Sequence, residues 1–567
     1  MTVPSLVHGQ QRVPLVVGRT LFDAADDLEM LVPASCRRSG RCRECVVEIH
    51  SGEAALCAAE PEESYLPRGF RLACRARIER LPDEDLEFAA VRRRLRIFAA
   101  PPGPPLEVDP VVEVVDGRVR YDGVDVDRSP SRLLGIALDV GTTTVVLELV
   151  DLTTGEALAG AAFENPQRFG GSDVVARIAY ETDHPGELRQ ALRRALNHEL
   201  ASLYGELGVD RRAVFEVVVV GNAAMRDLFF ALDVAPIGRS PFRSTTEVAW
   251  REGRAADTSV VALAHQLGIL VHPRARIWGA PLIACHVGAD AAADLVATGA
   301  AGTGADDGPG PTMLIDIGTN TEIILGDGRR IVAASSPAGP AFEGGAIRHG
   351  MAASDGAIEA VHHDDLGWTV RTIGDAEPVG ICGSGLVDLL AELRRIGAMT
   401  VDGAFADDRR AVDIVPERGI CLTRFDISEL AQAKAANTVG YTALLRTLGL
   451  TVADLGRVHL AGGFASSLNV ESAMAIGLLP RVALDRVIVH GNASVRGAKA
   501  LLLSRGERQR LVELVGRIRH MELEAEPDFF DLFVEGLRFE PFPDRSGSAR
   551  REFVAKGEAG IGVLTGE

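Results

Sequence analysis

A chain of 567 residues is too long for one hydrophobic core, and three or four domains are expected. Its 47% hydrophobic and 25% charged residues are typical of a soluble globular protein. The net charge of −19 argues against nucleic acid and against an anionic membrane as partners, so an anionic ligand must be held by local loops. No apolar run of about 18 residues occurs and no secretory signal is recognisable, which predicts a cytoplasmic protein.

Half of the eight cysteines lie near the start of the chain, at Cys36, Cys42, Cys45 and Cys74. Five residues separate the first two, two separate the next pair, and 28 precede the last. Thiolates are soft ligands, and four of them hold a two-iron cluster. A structural zinc site is the main alternative, but such sites usually pair one CxxC with another, and the second pair is missing. The spacing therefore predicts a 2Fe-2S cluster.

Residues 1–85 resemble a 2Fe-2S ferredoxin of the β-grasp fold, with the five-residue first gap of the adrenodoxin-like branch. A short helix is predicted over residues 20–32, with strands around residues 13–17, 46–49 and 75–78. Cys57 falls outside the cluster pattern and is interpreted as an apolar or surface residue. No flavin or nicotinamide motif follows, so the electrons must come from an external low-potential donor.

Residues 86–130 are predicted to be a linker. The proline-rich stretch 99–105 should form a stiff extended spacer, and a small hairpin should turn at Asp116 and Gly117. Two interpretations stay open: a semi-rigid tether that lets the cluster domain visit several docking sites, or a plain connector.

Two strand–turn–strand segments repeat an acid, an apolar residue, a glycine and a threonine. Such a turn brings backbone N–H groups, hydroxyls and a carboxylate to one point, which suits a metal-bound polyphosphate. The residues are Asp139, Gly141, Thr142 and Thr143 in the first turn, and Asp316, Gly318, Thr319 and Asn320 in the second.

Two further glycine-rich segments are candidates for nucleotide binding. Gly383, Ser384 and Gly385 begin a predicted helix, and a helix N-terminus with small residues is a ready anion site. A strand breaks at Gly462, Gly463 and Phe464, where two glycines allow a flat base to approach the backbone.

The order of predicted strands and helices is similar before and after residue 280. Together with the two turns and the strand break, it resembles the superfamily of acetate and sugar kinases, heat-shock chaperones and actin, an RNase H-like duplicated fold. That resemblance implies a multidomain α+β and α/β protein with an ATP cleft. Asp139 and Asp316 would face each other there and hold Mg2+ through water, while the turn residues contact the phosphates and the Gly462 turn the adenosine.

Several motifs narrow the resemblance: NPQ at Asn165, GNAAM at Gly221, VGAD at residues 287–290, SPAGPAFEGGAI at Ser336 and GICGSG at Gly380. They are similar to ferredoxin-fused reductive activators of corrinoid-dependent methyltransferase systems. The implied domains are a ferredoxin at 1–85, a linker at 86–130, an ATPase at 131–543 in two halves (131–280 and 281–543), and a tail at 544–567.

The resemblance implies an ATP-dependent activator that returns an inactive cobalt(II) corrinoid protein to cobalt(I) by one-electron transfer from the 2Fe-2S cluster. A corrinoid protein would be its partner, and a homodimer is left open. Two alternatives remain: an ATP-dependent activator of another metalloenzyme, and a small-molecule kinase with a redox-sensing domain.

Overall fold

The structure is a computed structural model. It describes residues 5–8, 11–28, 30, 32, 38, 45–64, 66–82, 85–90, 106–128, 130–300, 310–351, 353–463 and 465–542. Cys36, Cys42, Phe464, the predicted spacer 99–105 and the predicted tail 544–567 lie outside these residues.

The amino-terminal region forms a mixed sheet in the order β2-β1-β5-β3-β4 with one helix packed on it. Its elements are β1 Ser5–His8, β2 Gln11–Pro14, α1 Leu21–Asp27, β3 Val46–Ser51, β4 Phe70–Leu72 and β5 Leu86–Ala90. Helix α1 begins where the Thr20 and Asp23 side chains cap each other's backbone N–H groups, and it buries Leu21 and Phe22.

Two sequence predictions for this region need correction. Strand β5, assigned above to the linker, pairs with both β1 and β3 and so lies at the centre of the sheet. The predicted strand at residues 75–78 makes only two isolated bridges, through Arg77 and Ile78, while the strand itself lies earlier, at β4. The ferredoxin sheet therefore extends to Ala90.

The described part of the linker is a three-stranded sheet docked on the ATPase. It consists of β6 Val112–Val115, β7 Arg118–Tyr121 and β8 Val124–Arg128, and the predicted turn at Asp116 and Gly117 is present. The Tyr121 hydroxyl donates to Glu216 Oε1 at 2.9 Å, and His272 Nε2 lies 3.0 Å from Asp127 Oδ2. These contacts fix residues 106–128 to the ATPase, so this stretch is a connector rather than a tether.

The first half of the ATPase is a sheet covered by helices, and it extends beyond the predicted boundary at residue 280 to Thr298. Its elements are β9 Leu134–Val140, β10 Thr144–Asp151, β11 Ala157–Glu164, α2 Val174–Asp183, α3 Glu187–Leu207, β12 Val214–Val220, α4 Ala223–Phe229, α5 Thr245–Arg251, β13 Val260–Leu263, α6 Ala264–Leu267, β14 Arg276–Gly279 and α7 Ala289–Thr298. Strands β9 and β12 are buried along their whole length, as expected of near-continuous apolar strands with both faces covered.

The second half repeats this plan with two small sheets added. Its elements are β15 Thr312–Ile317, β16 Thr321–Gly326, β17 Ile331–Ser336, β18 Ala357–Asp364, β19 Gly367–Thr372, β20 Gly380–Ile381, α8 Gly383–Arg395, β21 Ala411–Val415, β22 Ile420–Thr423, α9 Arg424–Leu448, β23 Arg457–Ala461, α10 Val470–Ala475, β24 Val487–Gly491, α11 Ala493–Leu503, α12 Arg505–Val515, β25 Ile518–His520 and α13 Phe529–Gly536. The helix predicted near Glu343 is a single 3-10 turn, Ala341–Glu343.

Five strands of each main sheet have the same arrangement, so the predicted duplication is confirmed. The orders are β11-β10-β9-β12-β14 and β17-β16-β15-β23-β24, which is third, second, first, fourth, fifth in both halves. In each half the first strand is antiparallel to the second and parallel to the fourth.

Helices α7 and α11 join the two halves. Helix α11 follows β24 of the second sheet, yet it packs on α7 and on β9 and β12 of the first half. A Cβ on Gly497 would lie 2.0 Å from the Ala293 carbonyl oxygen, so the two helices cross with their backbones almost touching. Among the described residues no helix is long and apolar enough to cross a membrane.

Candidate functional site: a nucleotide cleft and a thiolate pair

The two acid–glycine–threonine turns face each other at the ends of the central strands. Asp139 pairs in register with Val220 of β12, and Asp316 pairs with Ala461 of β23. Between them lies a cavity of about 320 Å³. It is lined by twelve predicted site residues: Asp139, Gly141, Thr142, Thr143, Asp316, Gly318, Thr319, Asn320, Gly383, Ser384, Gly462 and Gly463.

A glycine ends the fourth strand of each half and packs against the turn of its own half. A Cβ on Gly221 would lie 2.6 Å from the Val140 carbonyl oxygen, and one on Gly462 would lie 2.3 Å from the Ile317 carbonyl oxygen. Both glycines also have positive φ values, +147° and +106°. A side chain at either position would push away the residue that follows the cleft aspartate.

Glu343 joins the two turns, and sequence reasoning did not single it out. Its Oε2 accepts hydrogen bonds from Thr143 Oγ1 at 2.6 Å and Thr319 Oγ1 at 2.7 Å, and the two hydroxyl oxygens are 3.2 Å apart. One carboxylate thus bridges the two predicted phosphate-binding turns. The only sequence signal was its position inside the SPAGPAFEGGAI motif.

The cleft collects more carboxyl groups than the two predicted ones. Asp290, at the start of α7, lines the cavity, and Asp294 lies one helical turn further on and accepts from Ser494 Oγ at 3.0 Å. Burial, followed by the charge of Asp316, raises the pKa of Asp290 to about 7. Burial, followed by the charges of Asp290 and Asp316, holds the pKa of Asp139 well above its usual range.

Buried carboxyl groups of this kind are costly unless a cation or a proton neutralises them. A hard divalent cation with oxygen ligands, such as Mg2+, fits this donor set, and Mg2+ usually keeps several of its waters. Among the described residues no three such side chains are placed to hold a metal ion directly, so Asp139, Asp316 and Asp290 would hold it through water. The four-residue spacing of Asp290 and Asp294 on one helical face is the signal that sequence reasoning could have used.

Three asparagines, absent from the prediction, fix the turns. Asn222 Nδ2 donates to Thr142 Oγ1 at 2.9 Å, and Asn165 Nδ2 donates to the Gly141 carbonyl oxygen at 2.8 Å. The Asn492 side chain hydrogen-bonds to Asp139 and opposes the rise in its pKa. Asn165 and Asn492 directly follow strands that end at Glu164 and Gly491, and one residue separates Asn222 from the end of β12. Asn222 lies in the GNAAM motif and Asn165 in the NPQ motif.

The start of α8 lines the cavity as an anion site would. Its N-cap, Cys382, makes no side-chain capping hydrogen bond, and Gly383 and Ser384 of its first turn line the cavity. Gly385, the third residue predicted here, is not among the cavity-lining residues. Its Cβ position is 2.2 Å from the Ile358 carbonyl oxygen, so Gly385 serves helix–strand packing.

Two of the four predicted cluster ligands are described, and they lie together. Cys45 directly precedes β3 and Cys74 follows β4 by one residue; their sulfurs are 3.3 Å apart and both side chains are buried. Two thiolates about 2.3 Å from one tetrahedral metal ion would be about 3.8 Å apart, so a small outward shift would let this pair share one iron. This pair fits an iron–sulfur cluster.

The other cysteines differ in burial. Cys285 and Cys382 are buried, as predicted, but Cys421 is half-exposed, which corrects the prediction that it is buried. Cys57 Sγ lies 3.3 Å from the Arg77 nitrogen, outside the thiolate pair, in agreement with its exclusion from the cluster pattern.

Comparison with known families first gives the class. Residues 6–79 match the 2Fe-2S iron-sulfur cluster binding domain. Residues 134–302 match the RACo middle region, and residues 310–544 match the C-terminal domain of RACo, the ASKHA domain. The protein is a 2Fe-2S ferredoxin fused to an ASKHA-type ATPase, and the predicted fold class is confirmed.

Individual relatives give the family. The chain is 30% identical over 454 residues to the corrinoid activation enzyme RamQ of Eubacterium limosum, covering 75% of this chain and 74% of that one. It is 24% identical over 431 residues to a [Co(II) methylated amine-specific corrinoid protein] reductase of Methanosarcina barkeri, covering 72% and 77%. A solved reductive activator for a corrinoid, iron-sulfur protein superposes with a TM-score of 0.68 at 27% identity, over 94% of this chain and 98% of that one. The chain belongs to the family of corrinoid reductive activators.

Proposed function

We propose that this protein uses ATP to return an inactive cobalt(II) corrinoid protein to cobalt(I). The observation that carries the proposal is the presence, in one chain of this family, of a buried thiolate pair in a ferredoxin domain and a cleft with two acid–glycine–threonine turns. A ferredoxin alone needs no such cleft, and a kinase alone needs no thiolates.

The energetics explain why an electron carrier is joined to an ATPase. A plant-type 2Fe-2S cluster has a potential of about −400 mV, which is not reducing enough for cobalt(II) corrinoids. A deficit of roughly 200 mV for one electron corresponds to about 5 kcal/mol. Moving a two-state equilibrium from 1:99 to 99:1 takes about 5.5 kcal/mol of differential binding, so a nucleotide-driven change of conformation has the required size.

The cleft residues have distinct roles in ATP hydrolysis. The hydroxyls of Thr142, Thr143 and Thr319 and the N-terminus of α8 bind phosphate oxygens. The turn at Gly462 and Gly463 receives the adenosine. Glu343, within hydrogen-bond distance of a threonine from each turn, orients the attacking water and accepts its proton.

The ferredoxin domain carries the electron. Cys36, Cys42, Cys45 and Cys74 hold the 2Fe-2S cluster, which when bound supplies one electron at low potential. We further propose that an external low-potential donor reloads it, that the corrinoid partner belongs to a methyltransferase system, and that the protein acts in the cytoplasm.

The decisive measurement follows cobalt(I) formation by its absorption. The protein, with its cluster reconstituted and reduced, is mixed with a cobalt(II) corrinoid protein in the presence or absence of Mg-ATP. Reduction should be fast only with ATP. Equal rates without ATP would contradict the coupling.

Phosphate release separates this function from that of a small-molecule kinase. An activator releases phosphate from ATP without any added acceptor, and the rate should rise when the corrinoid protein is present. A strict requirement for a small-molecule acceptor would favour the kinase instead.

A further inference from the structure

The edge of the ferredoxin sheet that carries the thiolate pair contacts the ATPase. Glu48 of β3 lies three residues after Cys45, and it is paired across the strands with Phe70 of the edge strand β4. Arg168 Nη2, in the ATPase, donates to Glu48 Oε2 at 2.5 Å, and Phe70 packs against the apolar core of the first ATPase half. The Arg168–Glu48 pair is only partly exposed, with 34% and 25% of the side chains accessible.

The segment that carries Arg168 also fixes the first acid–glycine–threonine turn in place. Arg168 lies in the 3-10 helix Pro166–Gly170, which Asn165 caps by accepting a hydrogen bond from the Gln167 N–H. Asn165 is 1% exposed. Its Nδ2 donates to the Gly141 carbonyl oxygen at 2.8 Å, and its backbone N–H donates to the Thr143 carbonyl oxygen at 2.7 Å. A second bond from Arg168, to Glu164 Oε2 at 3.1 Å, fixes the turn to the end of β11.

Thr143 therefore connects the cleft with the segment that carries Arg168. Its hydroxyl points to Glu343 in the cleft, while its carbonyl oxygen is bound by the backbone of Asn165. A phosphate that engages the hydroxyl and a ferredoxin domain that engages Arg168 both need residues 141–143 and 165–170 in the same ordered arrangement.

We infer a mutual strengthening of two binding events: docking of the ferredoxin domain on the turn Asn165–Gly170, and binding of a nucleoside triphosphate in the cleft. The inference rests on the proposed role of the cleft as an ATP site. Whichever partner binds first orders the shared segment, and the second then binds to a segment already in place. Because linkage is reciprocal, the factor by which docking raises nucleotide affinity equals the factor by which nucleotide raises docking.

The first test measures the affinity for Mg2+ with a non-hydrolysable ATP analogue in the full chain. Glu48→Lys places a positive charge against Arg168 and should weaken nucleotide binding about fivefold or more. Glu87→Lys is the matched control, since Glu87 is a half-buried residue of β5 in the same sheet and its ion-pair contact is with His50, not with the ATPase. It should bind nucleotide as the wild type does. Equal visible absorption of the cluster in both variants shows that the ferredoxin domain is folded.

The second test uses hydrogen exchange at the ferredoxin edge, residues 46–51 and 70–72, which reports docking without reference to activity. The nucleotide analogue should slow exchange there in the wild type and in Glu87→Lys, but not in Glu48→Lys. The inference would be overturned if Glu48→Lys bound nucleotide as tightly as the wild type. It would also be overturned if hydrogen exchange at the ferredoxin edge of the wild type did not change when the nucleotide analogue was added. If the linkage is found but cobalt(II) reduction does not depend on ATP, the linkage stands and the proposed function fails.

Discussion

The turn after the third strand differs between the two halves of the ATPase, although the strands around it match. In the first half, β11 leads into Asn165 and the 3-10 helix Pro166–Gly170; in the second, β17 leads into the 3-10 helix Ala341–Glu343. The first turn directs Arg168 outward to the ferredoxin domain. The second directs Glu343 inward, to a threonine of each phosphate turn.

The difference shows how a duplicated scaffold can acquire two tasks. In each half the strands place the turn after the third strand at an equivalent position. The residues in that turn determine whether a side chain points into the cleft or toward the ferredoxin domain. In the proposed mechanism the inward carboxylate serves ATP hydrolysis, and the outward guanidinium serves attachment of the electron carrier. Changes to each side should therefore have separable effects.

The largest effect is expected in the ferredoxin domain, because this domain can carry an electron only if it holds its cluster. Cys45→Ser removes a thiolate of the buried pair and should abolish the visible absorption of the reconstituted protein. Cys57→Ser, the control, should retain it. ATP hydrolysis without the corrinoid partner should persist in both variants, and its loss in Cys45→Ser would contradict the separation of tasks.

On the inward side, Glu343→Gln should lower the rate of ATP hydrolysis by about 10²–10⁴-fold, the usual contribution of a general base. Nucleotide affinity should change much less, because the amide still accepts hydrogen bonds from the two threonines. Glu417→Gln, at an exposed site of the same half, is the control. A normal rate in Glu343→Gln would exclude this role.

The equivalence of the halves can be tested at the strand-ending glycines. Gly462→Ala would place a Cβ 2.3 Å from the Ile317 carbonyl oxygen, and Gly221→Ala would place one 2.6 Å from the Val140 carbonyl oxygen. Each substitution should therefore lower the free energy of unfolding by about 1–3 kcal/mol. Gly463→Ala is the control, because a Cβ there meets no atom within 4 Å. Thermal denaturation measures all three; a destabilised Gly463→Ala would mean that the close approach is not the cause.

The smallest effect is a pH dependence of stability in a chelator. Folding raises the pKa of Asp290 to about 7 and that of Asp139 above its usual range, so the folded protein binds more protons than the unfolded chain. Stability should therefore fall as the pH rises from about 4 to 7, by about 1 kcal/mol or more. Asp290→Asn should flatten this slope in thermal melts, and an unchanged slope would contradict the assignment.

Local sequence patterns predicted most of the fold and the two turns of the candidate site. The acid–glycine–threonine turns and the thiolates are short motifs whose geometry follows from neighbouring residues. Asn165, Asp290 and Glu343 were missed because their roles depend on pairings between distant strands and helices, although all three lie in motifs that had been noticed. Strand β5 was missed because its pairing with β1 and β3 is likewise non-local, and the docking of the linker depends on long-range bonds such as that from Tyr121 to Glu216.

The crossing of α7 and α11 has a consequence for dissecting the protein. The matched family regions meet between residues 302 and 310, which invites the production of two fragments. Yet Leu501 and Leu502 of α11 and Leu511 of α12 are buried in the core of the first half, where α11 packs against β9 and β12. A fragment ending at residue 302 would expose that core, and the remainder would carry two helices with nothing to cover. The gap between the matches divides the sequence and does not divide the folding unit.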